Sequence, residues 1–374
     1  MRPLAIVRLA VRDARNLEAI DVEPGARFNV VHGDNGQGKT NLIEAIYWMA
    51  TSRSFRTTKA TEILRRDAAG GAEAANVRAT VDEDGTRREQ TVGIAARGGG
   101  RLLRIDGVRP VNAAAYAAKT PVVVFSPSSL TLSMGGSRER RALLDRVALY
   151  VEPASFVDLT SYQRALRERQ RALEVRGVRA PDLEEWEELV VRHGLAVTRA
   201  RAAASNAVLG DAKPAFERIA TPDLAFGGSY ASSAPPEPEA YRRALAESRP
   251  RDLRRKSASV GPHRDDLVLE VGGMAARTTA SQGQHRALVL ALKAAELAVI
   301  GRARGVRPIL LLDDVSSELD EDRTEALFAF LASQRGQVFL TTTRPELIPR
   351  DLGRGEDPAR DRVDFRIVAG RLSQ

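Results

Sequence analysis

Residues 33–40 combine glycines, a lysine and a threonine at the spacing of a phosphate-binding loop. The segment fits G-x-x-x-x-G-K-[ST] and consists of Gly33, Asp34, Asn35, Gly36, Gln37, Gly38, Lys39 and Thr40. Its glycines allow the backbone to curve around a chain of phosphates with N–H groups pointing inward. We expect Lys39 to reach the β- and γ-phosphates of ATP and the Thr40 hydroxyl to hold Mg²⁺. The adjoining Asn41 belongs to the same predicted cofactor-binding set.

The elements on either side of this loop are those that would position it. Residues 27–32 read as a strand that leads into the loop. After Thr40, apolar residues recur at helical spacing as far as about Ala50. The loop is therefore predicted to lie at a helix N-terminus, where anions bind.

A pair of carboxylates, Asp313 and Asp314, follows the apolar run 309–312. A short continuous apolar run is typical of a strand that is buried on both faces. A phosphate-binding loop needs a carboxylate at the end of such a strand to hold Mg²⁺. We expect Asp313 to be this metal-side residue and Asp314 to be a base or water-orienting residue, so both are predicted to be catalytic.

A third candidate is Ser281-Gln282-Gly283-Gln284, at the predicted start of a long amphipathic helix. One interpretation is an ordinary capping box, because Ser281 and Gln284 fit S-x-x-Q. The other is a phosphate contact, for which Ser281 supplies a hydroxyl, Gly283 permits close approach and the helix end is positive. The two roles are compatible in one residue.

The remaining chain predicts an α/β fold with a mixed sheet and a long helical insertion. Residues 76–109 alternate like an antiparallel sheet with turns at Asp84-Gly85 and Asp106-Gly107, and 121–125 read as a buried strand. Residues 137–215 read as helices, and 227–238 as a loop rich in Gly, Ser and Pro. Sheet resumes near residue 260 and again at 338–340 and 363–367.

Composition limits the function classes. The 374 residues are 43% apolar and 28% charged, which fits a globular protein that forms a core. The absence of cysteine excludes disulfides, Cys-ligated zinc and thiol catalysis. Arg8 and Arg12 interrupt the N-terminal apolar residues too early for a signal peptide, and no run reaches the ~20 apolar residues of a membrane span. A net charge of +8 and a pI near 10.1 make nucleic acid a candidate partner of a cytoplasmic protein.

About 270 residues separate the loop from the carboxylates, far more than one βαβ unit holds. In this layout the chain resembles ATP-binding-cassette (ABC) ATPases, and more narrowly the SMC and Rad50 type. The resemblance identifies Ser281 and Gly283 with the signature motif, and residues 316–320 with the loop that crosses the dimer seam. It places Thr343 where many members have a γ-phosphate-sensing His, and it matches Arg15-Asn16 to an Arg-Ser/Asn pair near the nucleotide.

Three longer segments resemble the RecF family within this group. They are 124–145, with F-S-P…R-R-x-x-L-D; 259–267, with G-P-H-R-D-D; and 311–320, with L-L-D-D-V-S-S-E-L-D. The chain departs from the family pattern at Ala14, where an aromatic residue is usual, and at Ser128-Ser129. Relative to the wider superfamily, Asp314 replaces a catalytic Glu and Thr343 replaces the His. The shorter carboxylate suggests slow hydrolysis.

Spacing and resemblance together imply an ABC-type head formed by residues 1–136 and 257–374, with a mainly helical arm, 137–256, inserted in it. The resemblance implies an ATP-dependent homodimer that binds double-stranded DNA and ss/dsDNA junctions. It further implies RecR as a partner, RecO and RecA in the same pathway, a nucleoid-associated cytoplasmic location, and a weak DNA-stimulated ATPase that works as a switch.

Other functions stay open at the level of sequence. One is another SMC-like or transporter-type ABC subunit that does not act on DNA gaps. A P-loop kinase is a further alternative, and it would need no signature helix and would work as a monomer. The basic charge and the long separation of the two half-sites favour the DNA-binding interpretation.

Overall fold

The computed structural model describes residues 1–66, 71–98, 100–219, 224–314, 328–332, 334–349, 352 and 361–373. The chain forms two compact units, which consist of Met1–Ser129 with Ile300–Gln374, and of Leu130–Val299. The predicted head and arm place residues 257–299 with the head, and that division stays a prediction. Because the chain leaves and re-enters the first unit, this unit is completed only by its second segment.

The first unit contains two sheets. Its first segment comprises β1 (Leu4–Ala14), β2 (Leu17–Val22), β3 (Phe28–His32), α1 (Lys39–Thr51), β4 (Ala74–Glu83), β5 (Thr86–Ala95), β6 (Arg101–Ile105), α2 (Ala113–Ala117) and β7 (Val122–Phe125). The second unit comprises α3 (Thr131–Met134), α4 (Ser137–Val151), α5 (Ser155–Arg176), α6 (Leu183–Ile219), β8 (Phe226–Ala231), α7 (Pro238–Arg255), β9 (Asp266–Val271), β10 (Met274–Ala275), α8 (Ala276–Thr279) and most of α9 (Gln282–Arg304). The first unit then ends with β11 (Ile309–Leu312), β12 (Val338–Thr342), β13 (Arg362–Val368) and β14 (Arg371–Ser373).

An antiparallel sheet with the order β2-β1-β4-β5-β6 forms one side of the first unit. Its hairpins turn at Asp84-Gly85 and Asp106-Gly107, as predicted, and all four of these residues have positive φ. Such turns suit the right-handed twist of paired strands. The alternating pattern of residues 76–109 is therefore confirmed as an antiparallel sheet.

The other sheet has the order β14-β13-β3-β12-β11-β7, and all its strands except β14 run parallel. Helix α1 packs against strands of both sheets, and its Trp48 and Met49 are fully buried. A helix that is apolar on nearly all sides belongs inside a core. Because parallel strands end at the same edge, this arrangement brings the C-terminal ends of β3, β11 and β12 together.

The second unit is mainly helical, with a small sheet of order β10-β9-β8. Strand β8 corrects the predicted loop over residues 227–231, because Tyr230 pairs with Leu267 and Gly228 with Leu269 of β9. Residues 232–237 form neither helix nor strand, as predicted. Gly227 and Gly228 are of a type common in loops, but here they lie in a short strand whose Phe226 is buried. The predicted helices over 137–215 are confirmed as α4, α5 and α6.

Helices and mixed sheets together confirm the predicted α/β class. In the part of the chain that the structure describes, no helix combines the length and the hydropathy that crossing a bilayer requires.

Candidate functional site

The glycine-rich loop lies between the end of β3 and the start of α1, as predicted. Gly33 has φ 154°, and a Cβ there would collide with the backbone oxygen of Ile367. Gly38 has φ 115°, and its Cβ would lie 2.8 Å from the side-chain oxygen of Asn16. Gly36 has φ 80° and faces open space, with no atom within 4 Å of a built Cβ. Packing therefore requires glycine at positions 33 and 38, whereas Gly36 borders open space.

The loop offers donors that fit a phosphate chain. Lys39 Nζ donates to the carbonyl oxygens of Gly33 at 2.7 Å and Asp34 at 2.8 Å, so its ammonium lies across the loop. Within the described residues, the backbone N–H groups of Gly36, Gly38 and Lys39 meet no acceptor. Burial lowers the pKa of Lys39, although Asp314, Asp313 and Asp34 act in the opposite direction. An anion at a helix N-terminus would satisfy all of these groups.

The C-terminal hairpin fixes the back of the loop. The Gln37 side-chain oxygen accepts from the Ala369 N–H at 2.6 Å, and the Gln37 carbonyl accepts from the Gly370 N–H at 2.8 Å. Both donors belong to the turn between β13 and β14. Gln37 therefore uses its amide to hold the loop, and its predicted contact with the cofactor stays a prediction.

Asp313 and Thr40 meet although they are far apart in the chain. The Thr40 hydroxyl donates to Asp313 Oδ1 at 2.9 Å, and the Thr341 hydroxyl donates to the same oxygen at 2.9 Å. A hydroxyl and a carboxylate are oxygen ligands of the kind that Mg²⁺ prefers. The two residues predicted to hold the metal therefore lie within one hydrogen bond of each other.

The electrostatics of Asp313 also fit a cation. Burial raises the pKa of Asp313, hydrogen bonds from Thr341 and Thr40 oppose this, and the charge of Asp314 raises it further. Asp314 has φ 51°, and its backbone N–H donates to the Thr341 hydroxyl at 2.8 Å. A divalent cation beside the two carboxylates would stabilise their ionised forms.

Thr341 is a residue of this site that the sequence did not single out for contact with the carboxylates. It is fully buried in β12, the strand between β3 and β11, and it bonds to both aspartates. The available signal was a run of three threonines at the end of a buried strand. Thr343 lies one residue beyond β12, and no hydrogen bond joins it to either aspartate among the described residues. Its predicted role as a phosphate sensor stays a prediction.

Arg15 and Asn16 occupy different positions. The Arg15 guanidinium forms two hydrogen bonds with the buried Glu44 carboxylate of α1, at 2.9 and 2.8 Å. Burial would raise the pKa of Glu44, but hydrogen bonds from Arg15 and Ser54 outweigh it and the net shift is downward. Arg15 therefore supports the helix that carries the loop.

Asn16 touches the loop itself. Its side chain donates to the Gly36 carbonyl at 3.4 Å and accepts from the Asn41 side chain at 2.7 Å. Asn16 and Asn41 thus flank the loop, whereas Arg15 lies one contact further away. Nucleotide contact by these three residues stays a prediction.

Ser281 and Gly283 belong to the second unit, at the start of α9. The Ser281 N–H donates to the Gln284 side chain at 2.7 Å, and the Gln284 N–H donates to the Ser281 hydroxyl at 3.2 Å. The capping-box interpretation is therefore confirmed. Ser281 is exposed, and its predicted role as a signature residue stays a prediction. The seam-crossing loop at 316–320 lies outside the described residues.

Comparison with known proteins gives one consistent result. The family model described as RecF/RecN/SMC N terminal domain matches residues 5–351. The DNA replication and repair protein RecF of Anaeromyxobacter sp. (strain Fw109-5) is 39% identical over 99% of this chain and 100% of its own length. The protein of the same description from Geobacter sp. (strain M21) is 34% identical over the same shares of both chains.

Solved structures agree with this result. The recombination mediator protein RecF-ATPrS in the RecFOR pathway matches with a TM-score of 0.85 and 27% identity, covering 99% of this chain and 98% of that chain. The Smc head domain derived from Pyrococcus furiosus, with its coiled coil and bound to the C-terminal domain of ScpA, matches with a TM-score of 0.55 and 13% identity, over 99% and 95% of the two chains. The second match shows the fold alone, and it confirms the predicted ABC-ATPase-type head.

A family model that covers nearly the whole chain thus agrees with full-length relatives above 30% identity and with a solved structure of the same fold. The motifs around residues 33–40 and 311–314 lie in the matched region and meet in one hydrogen-bonded site. This chain belongs to the RecF family.

Proposed function

We propose that this protein is an ATP-dependent DNA-binding protein of recombinational repair and replication restart. It closes as an ATP-induced dimer on duplex DNA near single-strand gaps. The observation that carries the proposal is the hydrogen-bonded set Thr40–Asp313–Thr341 beside a loop with unused N–H groups. A relative solved as RecF-ATP, 27% identical with a TM-score of 0.84, supports the choice of nucleotide.

Each group of the site has a role in this proposal. Lys39 and the amides of residues 33–40 hold the phosphates, and Thr40 and Asp313 hold Mg²⁺. Asn16 and Asn41 flank the nucleotide, with Arg15 behind them. When bound, Mg·ATP would supply the charged phosphates that residues of both copies contact. Asp314 orients the attacking water, and its short side chain makes the protein a weak, DNA-stimulated ATPase that uses hydrolysis to reopen.

The dimer requires a surface that meets the nucleotide of the other copy. Ser281 and Gly283 supply it, because they stand at the positive end of a 23-residue helix and Ser281 is exposed. The capping box fixes the Ser281 backbone before any partner arrives. Thr343 senses the γ-phosphate from the end of β12.

The net charge of +8 supports contact with DNA phosphates. Such contacts are independent of sequence and weaken as salt concentration rises. Family membership supports a place beside RecR, with RecO and RecA in the same pathway and RecA loading at ss/dsDNA junctions as the outcome. The corresponding location is the nucleoid of the cytoplasm.

Two substitutions test the proposal. We expect Ser281→Arg to bind ATP normally but to form no ATP-induced dimer, because the added side chain fills the contact with the other copy. We expect Lys39→Met to lose ATP binding itself. Gel filtration with and without ATP, together with ATP and duplex-DNA binding assays, measures these effects. Dimers of Ser281→Arg that persist with ATP would contradict the two-headed site, and a wild-type monomer that phosphorylates an acceptor would favour a kinase.

A further inference from the structure

The segment Gly261-Pro262-His263-Arg264-Asp265-Asp266 has no part in the proposed nucleotide site, yet side chains from several elements of the second unit bond to it. Residues Pro262–Arg264 form a single 3₁₀ turn ahead of β9. Arg264 is exposed, whereas the residues on either side of it are wholly or partly buried. The surrounding bonds therefore fix the position of this one exposed side chain.

Four groups hold the three residues before Arg264, two through backbone carbonyls and two through the His263 ring. The Arg201 guanidinium donates to the Pro262 carbonyl at 2.5 Å, and the Ser233 hydroxyl donates to the Gly261 carbonyl at 2.7 Å. The His263 ring bonds to the Tyr162 hydroxyl at 2.7 Å and to the Ala258 carbonyl at 2.9 Å. These bonds fix the conformation from which the Arg264 side chain leaves the surface.

The carboxylates that follow Arg264 already have other partners. Asp265 is fully buried, accepts from the Ser233 N–H at 2.7 Å and also accepts from the Tyr230 hydroxyl. Asp266 receives two hydrogen bonds from Arg140, at 2.7 and 2.9 Å. The Arg264 backbone N–H donates to the Gly261 carbonyl at 2.9 Å, but its guanidinium makes no hydrogen bond and no ion pair to any described residue. The Arg264 side chain is therefore a cation without an ion pair among the described residues, on a backbone that hydrogen bonds hold in place.

Among the charges that act on His263, those of two arginines outweigh that of one carboxylate. After burial, which contributes most, the charges of Arg264 and Arg141 lower the pKa of His263, whereas the hydrogen bond to Ala258 and the charge of Asp265 raise it. The nearby Asp145 is occupied by Arg201, with bonds of 2.7 and 3.0 Å. The carboxylates nearest to Arg264 are thus engaged by other groups, and this reduces their repulsion of an anion at Arg264.

We propose that Arg264 is a phosphate contact, and that the phosphate belongs to the backbone of duplex DNA. A guanidinium suits this ligand because its fork of N–H donors matches phosphate oxygens. Holding the backbone in advance reduces the ordering cost of the contact. The inference rests on the proposed function, since it specifies where the closed dimer touches DNA.

The same hydrogen bonds connect this contact to the start of α9. Arg140, which holds Asp266, also donates to the carbonyls of Leu132 and Gly135 at 3.0 Å each. Between these two residues, the Ser133 hydroxyl bonds to His285 at 3.0 Å, and His285 lies one turn after Ser281. A phosphate bound at Arg264 and a second copy bound at Ser281 would therefore stabilise the same set of hydrogen-bonded residues.

The test compares Arg264→Gln with Arg164→Gln in the full-length chain. Arg164 is a matched control because it is exposed in the same unit and its side chain makes no hydrogen bond or ion pair to a described residue. With ATP and a labelled duplex, we expect Arg264→Gln to weaken binding about tenfold and to lower the salt slope by about one. We expect Arg164→Gln to change affinity less than about twofold, and both variants to unfold at the wild-type midpoint.

A second measurement, ATP-induced dimerisation without DNA, identifies the source of the phosphate. Normal dimers of Arg264→Gln support the DNA backbone, whereas their loss would overturn it in favour of the nucleotide held by a second copy. Equal DNA affinities of the two variants would overturn the role of Arg264 but leave the proposed function unaffected. A wild-type chain that neither dimerises with ATP nor binds duplex DNA would instead overturn the proposed function.

Discussion

Thr341 donates a hydrogen bond to Asp313 at 2.9 Å, and the same hydroxyl accepts from the backbone N–H of Asp314 at 2.8 Å. One buried side chain on β12 thereby fixes both aspartates at the end of the neighbouring β11. Thr40 reaches Asp313 from the other side, at 2.9 Å. The metal-side carboxylate is thus held by two hydroxyls from different parts of the chain.

We expect Thr341→Val to lower the maximal rate of ATP hydrolysis about tenfold, with a smaller change in the KM for ATP. Loss of one buried hydrogen-bond donor to a charged group is worth about 1.5–3 kcal/mol, and here it also removes the acceptor of the Asp314 backbone N–H. Phosphate release at saturating Mg²⁺ measures the effect. Thr342→Val is the matched control, because Thr342 is equally buried and its hydroxyl accepts from the Arg344 N–H. Thr341→Ser should restore most of the rate, and equal losses in the two Val variants would contradict the positioning role.

Two glycines of the phosphate loop should respond differently to alanine. Gly33→Ala places a Cβ against the Ile367 backbone at φ 154°, so we expect a loss of about 2–4 kcal/mol in the free energy of unfolding. Gly36→Ala meets no atom within 4 Å, so we expect only the strain of φ 80°, about 1–2 kcal/mol. Its methyl group enters the space in front of the loop, and ATP binding should fall. Urea unfolding and ATP titration separate the two effects, and the reverse order of stabilities would refute the packing argument.

Arg169 is predicted to be the most sensitive charged residue of the second unit. It is fully buried and bonds to Glu187 at 3.0 Å, to Asp252 at 2.8 Å and to the Leu245 carbonyl at 2.9 Å. Removing one partner of a buried ion pair costs about 3–5 kcal/mol, because the remaining charges stay buried. We expect this loss in the unfolding free energy of Arg169→Ala. The exposed Arg167→Ala should change it by less than about 0.5 kcal/mol.

Stability should fall as pH decreases through the titration range of His263. Burial lowers the pKa of His263, so the unfolded chain binds the proton more tightly than the folded chain does. The contribution of His263 to the free energy of unfolding is therefore fully present above its pKa in the unfolded chain, near about 6.5. This contribution is lost as pH falls toward the lower pKa of the folded chain. Burial also lowers the pKa of His285, which acts in the same direction. His263→Gln should flatten the pH dependence of the unfolding free energy below about pH 6.5. An unchanged slope would mean that other titrating groups cause the loss of stability.

Local patterns predicted the parts of the site that depend on neighbouring residues. The loop, its strand and its helix follow one another directly, so glycine spacing and helical periodicity were sufficient to place them. The apolar run before Asp313 likewise predicted β11. The capping box at Ser281 was readable because it closes over only four residues.

Other features depend on which strands become neighbours. Nothing in the sequence placed β12 between β3 and β11, so the run of threonines did not reveal that Thr341 bonds the aspartates. The resemblance matches Arg15 to a pair near the nucleotide, but its guanidinium bonds to Glu44 of α1, and this contact forms only when the helix packs. The glycines of β8 suggested a loop because strand pairing with β9 is a tertiary interaction.

The order of strands around β3 also bears on synthesis. β3 carries the phosphate loop, yet its two neighbours in the sheet are β12 and β13, which begin at Val338 and Arg362. At about 5–20 residues per second, a ribosome needs on the order of tens of seconds to produce them after β3 has emerged. During that interval the chain can complete the antiparallel sheet, but the strand that bears the loop has no partners. A message truncated before β12 would therefore yield a chain that cannot assemble the nucleotide site.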